Sequence, residues 1–349
     1  MAADRSVKIM LGILTVLAIL AIASQASAVL APLALALLVI AVAWPLQRRL
    51  QAFLPKLVAL IVVVLATAAV FFVLALAMSW GFTRVARTFI IDQRYQAAYD
   101  AFVTWLDGYG LTIGGLWSDY FSASSLIRLL QQAATRINAT MSLSVIALAY
   151  VILGLLEVDG MRRKLLDLGD RADFVLKACE GTAVKLRRYA IVRTWMSLAT
   201  GVLFTFAAWV GGLPLPVEWG VIAFALNYIP FIGPFIAIVL PTFWAVTQYE
   251  TWQAVIVLFV CLNVLQFSIG SYIEPRVAGN ALSISPFLVL FSVFFWTFLW
   301  GVFGAFIGVP ITIAILTFCE QGASTRWVAK LLSGPKTRAA ETPTEEAHG

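Results

Sequence analysis

The sequence predicts an all-α polytopic membrane protein with about eight transmembrane helices, two of them broken by glycine and proline, plus amphipathic helices on both faces. Three observations carry this. Of 349 residues, 62% are hydrophobic and 12% charged, with a mean hydropathy of +0.93, whereas a soluble domain is about 45–50% apolar and about 25% charged. The apolar residues fall into long charge-free runs, and a helix crosses hydrocarbon in about 20 such residues. The runs are continuous and rich in Leu, Ala, Ile, Val and Phe, whereas a β-barrel would alternate with period two over about ten residues. A soluble fold this apolar would expose large aggregating patches, which excludes a soluble enzyme, a nucleic-acid-binding domain and a disordered scaffold.

The first run, Ile9–Trp44, holds two short helices, and the polar break Ser24–Ser27 predicts a hairpin between them. Arg5 and Lys8 before an apolar run ending in Ala26-Ser27-Ala28 also resemble a cleavable signal peptide. The run resumes at Val29 and carries Pro32, which a retained hairpin explains better. Leu57–Trp80 is the third span. Segment 81–140 predicts two outer amphipathic helices. One runs through Val85, Phe89, Ala98, Phe102 and Trp105 and stops at Gly108; the other is capped by Ser124 or Ser125 and runs through Leu126 and Ile137. A small cap packed on the bundle accounts for that pattern without invoking a gate. Met141–Leu156 is the fourth span. Met161–Arg193 reads as an inner basic amphipathic helix with Leu165, Leu168, Val175 and Leu186 on its apolar stripe, which either rides the headgroups with Lys185, Arg187 and Arg188 as anchors or packs between subunits. Thr194–Val210, Trp219–Thr247, Trp252–Ile273 and Pro286–Phe318 complete the spans, and the polar stretch from Gly334 is predicted disordered. The organisation is therefore 1–80, 81–140, 141–193, a C-terminal core at 194–320, and a tail at 321–349.

Charge sets the orientation. Nine of the 24 basic residues lie in 157–193, and short loops dense in Lys and Arg stay in the cytoplasm. Four spans before that loop put the N-terminus and the 47–56 loop inside and 81–140 outside, and the basic C-terminal tail also fits inside. Trp209, Trp219, Trp244 and Trp252 flank turns, as headgroup-level tryptophans do. The single histidine, His348, lies in the polar tail, which argues against a catalytic triad or a histidine metal site. Cys179, Cys261 and Cys319 are scattered and odd in number, and read as small apolar fillers without a disulfide framework. No metal or other cofactor and no nucleic acid is expected.

Two apolar blocks are too long for one simple span and are interrupted mid-way. The first break is Asn227–Pro234 (NYIPFIGP); the second is Gly301–Pro310, and Phe231–Pro234 echoes Phe306–Pro310. Proline removes a backbone donor and clashes with a preceding carbonyl. Freed backbone is tolerated at membrane depth only inside protein or beside a wet cavity. Paired Gly/Pro-interrupted segments are the best sequence pointer to a transport site, against the plainer reading of kinks closed by neighbouring helices. Each block fits either a kinked span or a re-entrant hairpin. Between them, Pro275 biases Glu274 out of the helix, so the helix from Trp252 is predicted to end there. A carboxylate at a helix C-terminus needs a cation, a proton or a partner such as Arg276. Asn263, Gln266 and Ser271 precede it and Asn280 follows. The candidate site is thus Asn227, Pro230, Gly233, Pro234, Asn263, Gln266, Glu274, Arg276 and Asn280, serving a small polar solute or a monovalent cation or proton, against a structural ion pair. Gly301, Gly304, Gly308 and Pro310 are hinge or packing residues, Gly304 and Gly308 in a close-packing spacing.

These motifs resemble the autoinducer-2 exporter family of bacterial membrane proteins: Asn227–Pro234, Glu274-Pro275-Arg276, Ser285-Pro286-Phe287 and Trp300–Pro310 stand in the family's order and spacing. The resemblance implies an eight-span inner-membrane protein with both termini inside. It also implies a homo-oligomer, pentameric in some members, and efflux of a small polar signal molecule. Other members look like sodium(lithium)/proton antiporters. The sequence shows no nucleotide-binding P-loop, so the expected activity is secondary transport, driven by an ion or proton gradient or downhill. A non-transporting membrane scaffold is the reading of another class, and a membrane enzyme lacks the residues it would need.

Overall fold

The computed structural model describes residues 2–91, 123–167, 169–249, 251–278, 284–322, 324–332 and 334. Helices account for the regular structure there. They are α1 (Ala2–Gln25), α2 (Ser27–Leu50), α3 (Lys56–Ile91), α4 (Ala123–Asp167), α5 (Asp170–Val210), α6 (Pro216–Leu226), α7 (Ile232–Gln248), α8 (Trp252–Phe267), a π-turn (Ser268–Ile273), α9 (Glu274–Ala278), α10 (Pro286–Gln321) and α11 (Arg326–Leu332). Among the described residues, six helices are long and apolar enough to cross a bilayer. The architecture is all-α and polytopic, as the composition predicts.

The interhelical segments are mostly extensions of the spans. At 1.5 Å per residue, 45-residue α4 and 41-residue α5 reach about 68 and 62 Å, twice a hydrocarbon core of about 30 Å. The second outer helix therefore runs into the fourth span as α4, and the inner basic stretch from 170 onward is the first half of α5. The first outer helix begins as the end of α3, where Val85 is fully buried; Ala98, Phe102 and Trp105, like the tail beyond Gly334, lie outside the described residues.

The N-terminal hairpin is a bend. Only Ala26 separates α1 from α2, at φ −84° and ψ 16°. Its N–H still reaches Ile22 O at 2.8 Å, and its carbonyl accepts from Leu30 N at 2.9 Å. One perturbed residue with helical bonds on both sides redirects the axis without reversing it.

Both broken blocks fold back as hairpins. Trp219 and Trp244 stack edge-on with centroids 5.6 Å apart; an unbroken helix would hold them about 37 Å apart. Trp296 Nε1 donates to Thr312 Oγ1 at 3.3 Å, against about 24 Å in a continuous rod. The first hairpin is α6 and α7; the second is α10, reversed at Trp300 (φ −128°, ψ 15°) and Gly301 (φ 63°, ψ −147°). Only glycine adopts the Gly301 conformation readily. Ser285 starts this hairpin by accepting Leu288 N at 3.2 Å, with Pro286 in the first turn where a missing donor costs nothing.

α5 serves as a ruler between the two hairpins. The first is rooted at its C-terminal end: Tyr249 OH donates to Gly211 O at 2.5 Å, and Arg84 on α3 pairs with the buried Glu218 of α6 at 3.1 Å. The second is rooted in its N-terminal half, where Lys185 pairs with Glu320 at 2.6 Å. Gly211 and Lys185 are about 39 Å apart along an ideal helix, close to a whole bilayer with headgroups. The hairpins therefore enter from opposite ends of the bundle. α8 and α9 run antiparallel to α5, ending where Arg188 donates to Val277 O at 3.5 Å. Helix plus hairpin, then antiparallel helix plus opposed hairpin, is an inverted repeat. Basic residues gather at the end where the second hairpin enters: Arg48 beside Asp159, Arg162 on Glu180, then Lys185, Arg187 and Arg188.

Trp219 and Trp244 are buried in the core of the first hairpin, with Phe204, Ile222 and Leu262. They are packing residues, whereas Trp209 and Trp252 keep the exposure expected of headgroup anchors. The three cysteines are free, and Cys179 and Cys261 are exposed, so they do not fill the core.

Candidate functional site

The hairpin tips meet. Ile229 joins Val293, Ala305, Val309 and Ile313 of the second hairpin and Leu186 of α5 in one apolar cluster, with Ile232 packed against it. This junction joins the two sequence breaks.

The first tip is a strained turn. Ile232 N–H bonds Pro230 O at 2.7 Å, closing a γ-turn around Phe231 at φ 63° and ψ −57°. A non-glycine residue there costs about 1–3 kcal/mol. Phe231 is half-exposed, so little packing holds it in place. Phe231→Gly is therefore expected to raise the melting temperature of the purified protein, and Phe231→Ala to give no such gain. Pro234 sits in the first turn of α7, which needs no donor there. Gly233 lets the arms touch: a Cβ at this position would lie 1.8 Å from Leu226 O.

Behind this tip runs a buried polar track. Arg193, Ser197 and Thr200 recur at i, i+4 and i+7 and share one face of α5, and all three are buried. Asn227 Nδ2 donates to Ser197 Oγ at 3.3 Å, and Gln266 Nε2 on α8 donates to Asn227 Oδ1 at 3.2 Å. One turn nearer the basic end, Arg193 Nη1 donates to Glu274 Oε1 at 2.8 Å. Tyr228 OH donates to Thr194 Oγ1 at 3.0 Å beside them. Three polar atoms of this group are buried without a hydrogen-bond partner among the described residues: Arg193 Nε, Thr200 Oγ1 and Gln266 Oε1. Each costs about 1–3 kcal/mol unless something supplies the missing bond. Ser197 lies about 21 Å from the Gly211 end and about 18 Å from Lys185 on the ruler, which is mid-depth.

The candidates from the sequence sort as follows. Asn227, Pro230, Gly233, Pro234, Gln266 and Glu274 come together. Asn263 turns its amide back to Phe259 O at 2.8 Å and stays out of the network. Arg276 does not pair with Glu274; its guanidinium lies 3.8 Å from the centre of the Tyr272 ring. Asn280 lies outside the described residues. The helix does not end at Glu274, which is helical at φ −56° and ψ −47°, and continues to Ala278. The wide π-turn before it gives room for the Pro275 ring, which would clash in a regular turn; such turns are frequent at functional sites. Gly304 performs the same close approach as Gly233, with Trp296 O 1.9 Å from a built Cβ, whereas Gly308 meets the Trp296 side chain. The repeated phrase pairs Gly233 with Gly308, so the echo misplaces the equivalent glycine. Pro310 is buried in the second arm at the tip junction. Arg193, Ser197 and Thr200 were missed. Their signal was the i, i+4, i+7 polar stripe that runs from the last residue of the basic amphipathic helix into the span beginning at Thr194.

A polytopic helical bundle with two opposed broken hairpins meeting over a buried polar track is the architecture of a membrane transport protein. The chain belongs to the AI-2E transporter family, whose model matches residues 11–324. It is 30% identical to the AI-2 transport protein TqsA of Escherichia coli K12 over 220 residues, 61% of this chain and 62% of that one. It is 30% identical over 151 residues to a Borreliella burgdorferi protein provisionally named a transport protein, 43% and 42% of the two chains. It is 32% identical over 118 residues to the similarly named YrrI of Bacillus subtilis, 34% and 33% of the two chains. The matched stretches thus span less than two thirds of these relatives' own lengths.

Proposed function

We propose that this protein is a secondary transporter of a bacterial inner membrane that exports a small polar solute resembling autoinducer-2, driven by an ion or proton gradient or downhill. The observation that carries the reading is the mid-depth track Arg193–Ser197–Thr200, Asn227 and Gln266, with three polar atoms that have no partner among the described residues, behind the junction of two opposed hairpins. A hydroxyl-bearing solute both donates and accepts, so it satisfies Thr200 Oγ1 and Gln266 Oε1 in passing. An inverted repeat supports alternating access, in which the two hairpins exchange roles around a fixed site. The basic end of the bundle is the cytoplasmic one by charge, so the second hairpin enters from the cytoplasm and Glu274 lies on that side of the track. Both termini are assigned to the cytoplasm on the same charge argument, and the protomers work as a homo-oligomer.

Proteoliposomes loaded with autoinducer-2 test this. The wild-type protein is expected to empty them faster than protein-free vesicles do. Ser197→Ala is expected to slow efflux about tenfold, the worth of one anchoring hydrogen bond, while Thr194→Ala, outside the track, leaves it nearly unchanged. Equal leakage with and without protein would contradict the proposal.

A further inference from the structure

The last turns of α2 carry polar groups that the transport track does not use. Trp44 closes a charge-free run, and Arg48 and Arg49 follow it, so this end of α2 stands at headgroup level on the basic side. Trp44 Nε1 donates to Asp159 Oδ1 of α4 at 3.2 Å, and Arg48 Nε stands 3.9 Å from the same oxygen. The Arg48 guanidinium lies 5.0 Å from the centre of the Trp44 ring. About one turn beyond Asp159, Arg162 Nη2 donates to Glu180 Oε1 of α5 at 3.2 Å.

Between these pairs lies Gln47. It continues the stripe of Ala36, Ala43 and Leu50 that packs α2 into one apolar cluster with Val151 and Leu155 of α4. Asp159 follows Leu155 by one turn, so Gln47, Asp159 and Arg162 face the same seam, where that apolar cluster ends. Three atoms of this group are buried without a hydrogen-bond partner among the described residues: Gln47 Oε1, Gln51 Nε2 and Arg162 Nε. Gln47 as a whole is 1% exposed. Gln51 Nε2 and Arg162 Nε are donors that need an acceptor, and Gln47 Oε1 is an acceptor that needs a donor. Arg48 beside them is exposed and presents the guanidinium fork that matches phosphate oxygens. The complement of this set is a phosphate that carries its own hydrogen-bond donor.

We propose that the seam between α2 and α4 binds a phospholipid of the leaflet at the basic end, one whose headgroup bears an N–H or O–H, as phosphatidylethanolamine and phosphatidylglycerol do. The phosphate oxygens accept from Arg48, Arg162 Nε and Gln51 Nε2, and the headgroup ammonium or hydroxyl donates to Gln47 Oε1. Phosphatidylcholine offers the same phosphate without a donor and leaves Gln47 unfilled. A lipid suits the place better than a soluble phosphodiester, because the seam lies where two apolar spans end and both expose leucines to the bilayer, Leu37 on α2 and Leu153 on α4.

Native mass spectrometry of the full-length protein in detergent, titrated with each lipid in turn, tests the site. Phosphatidylethanolamine and phosphatidylglycerol are expected to bind about tenfold more tightly than phosphatidylcholine, the worth of one hydrogen bond to a buried acceptor. Gln47→Leu is expected to abolish that preference. It should also raise the melting temperature of the lipid-free protein, since it removes a buried amide that lacks a partner. Arg162→Met is expected to weaken all three lipids by about tenfold. Lys177→Gln, which removes an exposed ion pair on α5, should leave lipid binding unchanged. Equal affinity for the three lipids in the wild type overturns the site, as does a preference that survives Gln47→Leu. A loss in Lys177→Gln as large as that in Arg162→Met overturns it as well, because any basic residue would then serve. Soluble glycerophosphoethanolamine separates the two sources of the headgroup: lipid that stays bound in its presence supports a membrane ligand, and full displacement at equal concentration overturns the lipid in favour of a soluble phosphodiester.

Discussion

Glu274→Leu is expected to destabilise the folded protein by about 3–5 kcal/mol, the usual cost of breaking a buried pair by removing one partner, while Arg193→Leu costs roughly 1 kcal/mol. The asymmetry follows from exposure. Without Glu274, the Arg193 guanidinium is left charged and buried, with its Nε already lacking a partner among the described residues. Without Arg193, the carboxylate still reaches polar surroundings through its exposed third, so the loss is nearer that of a screened pair. The double leucine variant should recover most of the Glu274→Leu deficit, since removing both charges removes the stranded one. Reversible unfolding in detergent, followed by circular dichroism across the four proteins, measures this directly. Equal costs for the two single variants would mean that the pair is symmetric and that Arg193 has another partner.

Gly233→Ala and Gly304→Ala are expected to be among the most damaging glycine-to-alanine changes at the described residues, each above about 3 kcal/mol. A Cβ at either position would lie within 1.9 Å of a carbonyl oxygen on the facing arm, at Leu226 and Trp296 respectively. Backbone carbonyls cannot rotate aside as side chains can, so the arms must part and the tip junction around Ile229 and Val309 opens with them. Gly308→Ala meets only the Trp296 side chain, at 2.8 Å, and is expected to cost less, about 1–2 kcal/mol. Thermal unfolding of the three variants should rank them in that order. A mild Gly233→Ala would remove the steric basis for the first hairpin.

The class of fold was legible because the bilayer imposes it: charge-free runs such as Leu57–Trp80 leave helices as the only way to pair the backbone. The two breaks were legible for the same reason, as prolines 230 and 234 and glycines 301 and 304 have no place in a straight rod. Whether a break bends a helix or reverses it was not legible. That depends on single torsions, Phe231 and Gly301 against Ala26, and on which carbonyl a glycine must clear. Glu274 stood out as an ionisable residue at a helix break, but its partner did not. Arg276 is two residues away in sequence and faces Tyr272, while Arg193 is 81 residues away and faces Glu274 because α5 and α8 pack antiparallel. The stripe Arg193–Ser197–Thr200 was hidden because the boundary at Thr194 split it: Arg193 closed the basic helix, and two hydroxyls barely alter the apolar character of the span, whereas the structure runs both as one helix.

Spin-label distances in nanodiscs test the opposed hairpins most directly. Labels at Val217 and Thr247 span the first hairpin near its root, and labels at Phe291 and Ile315 span the arms of the second. Antiparallel arms pack about 8–10 Å apart, so both pairs should fall at the short limit of the method once label length is included. Continuous helices would hold the same pairs about 45 Å and about 36 Å apart. Short distances in both are the predicted result; a rod-length distance in either would mean that the chain passes straight through the break and that the mid-depth track is not built as described.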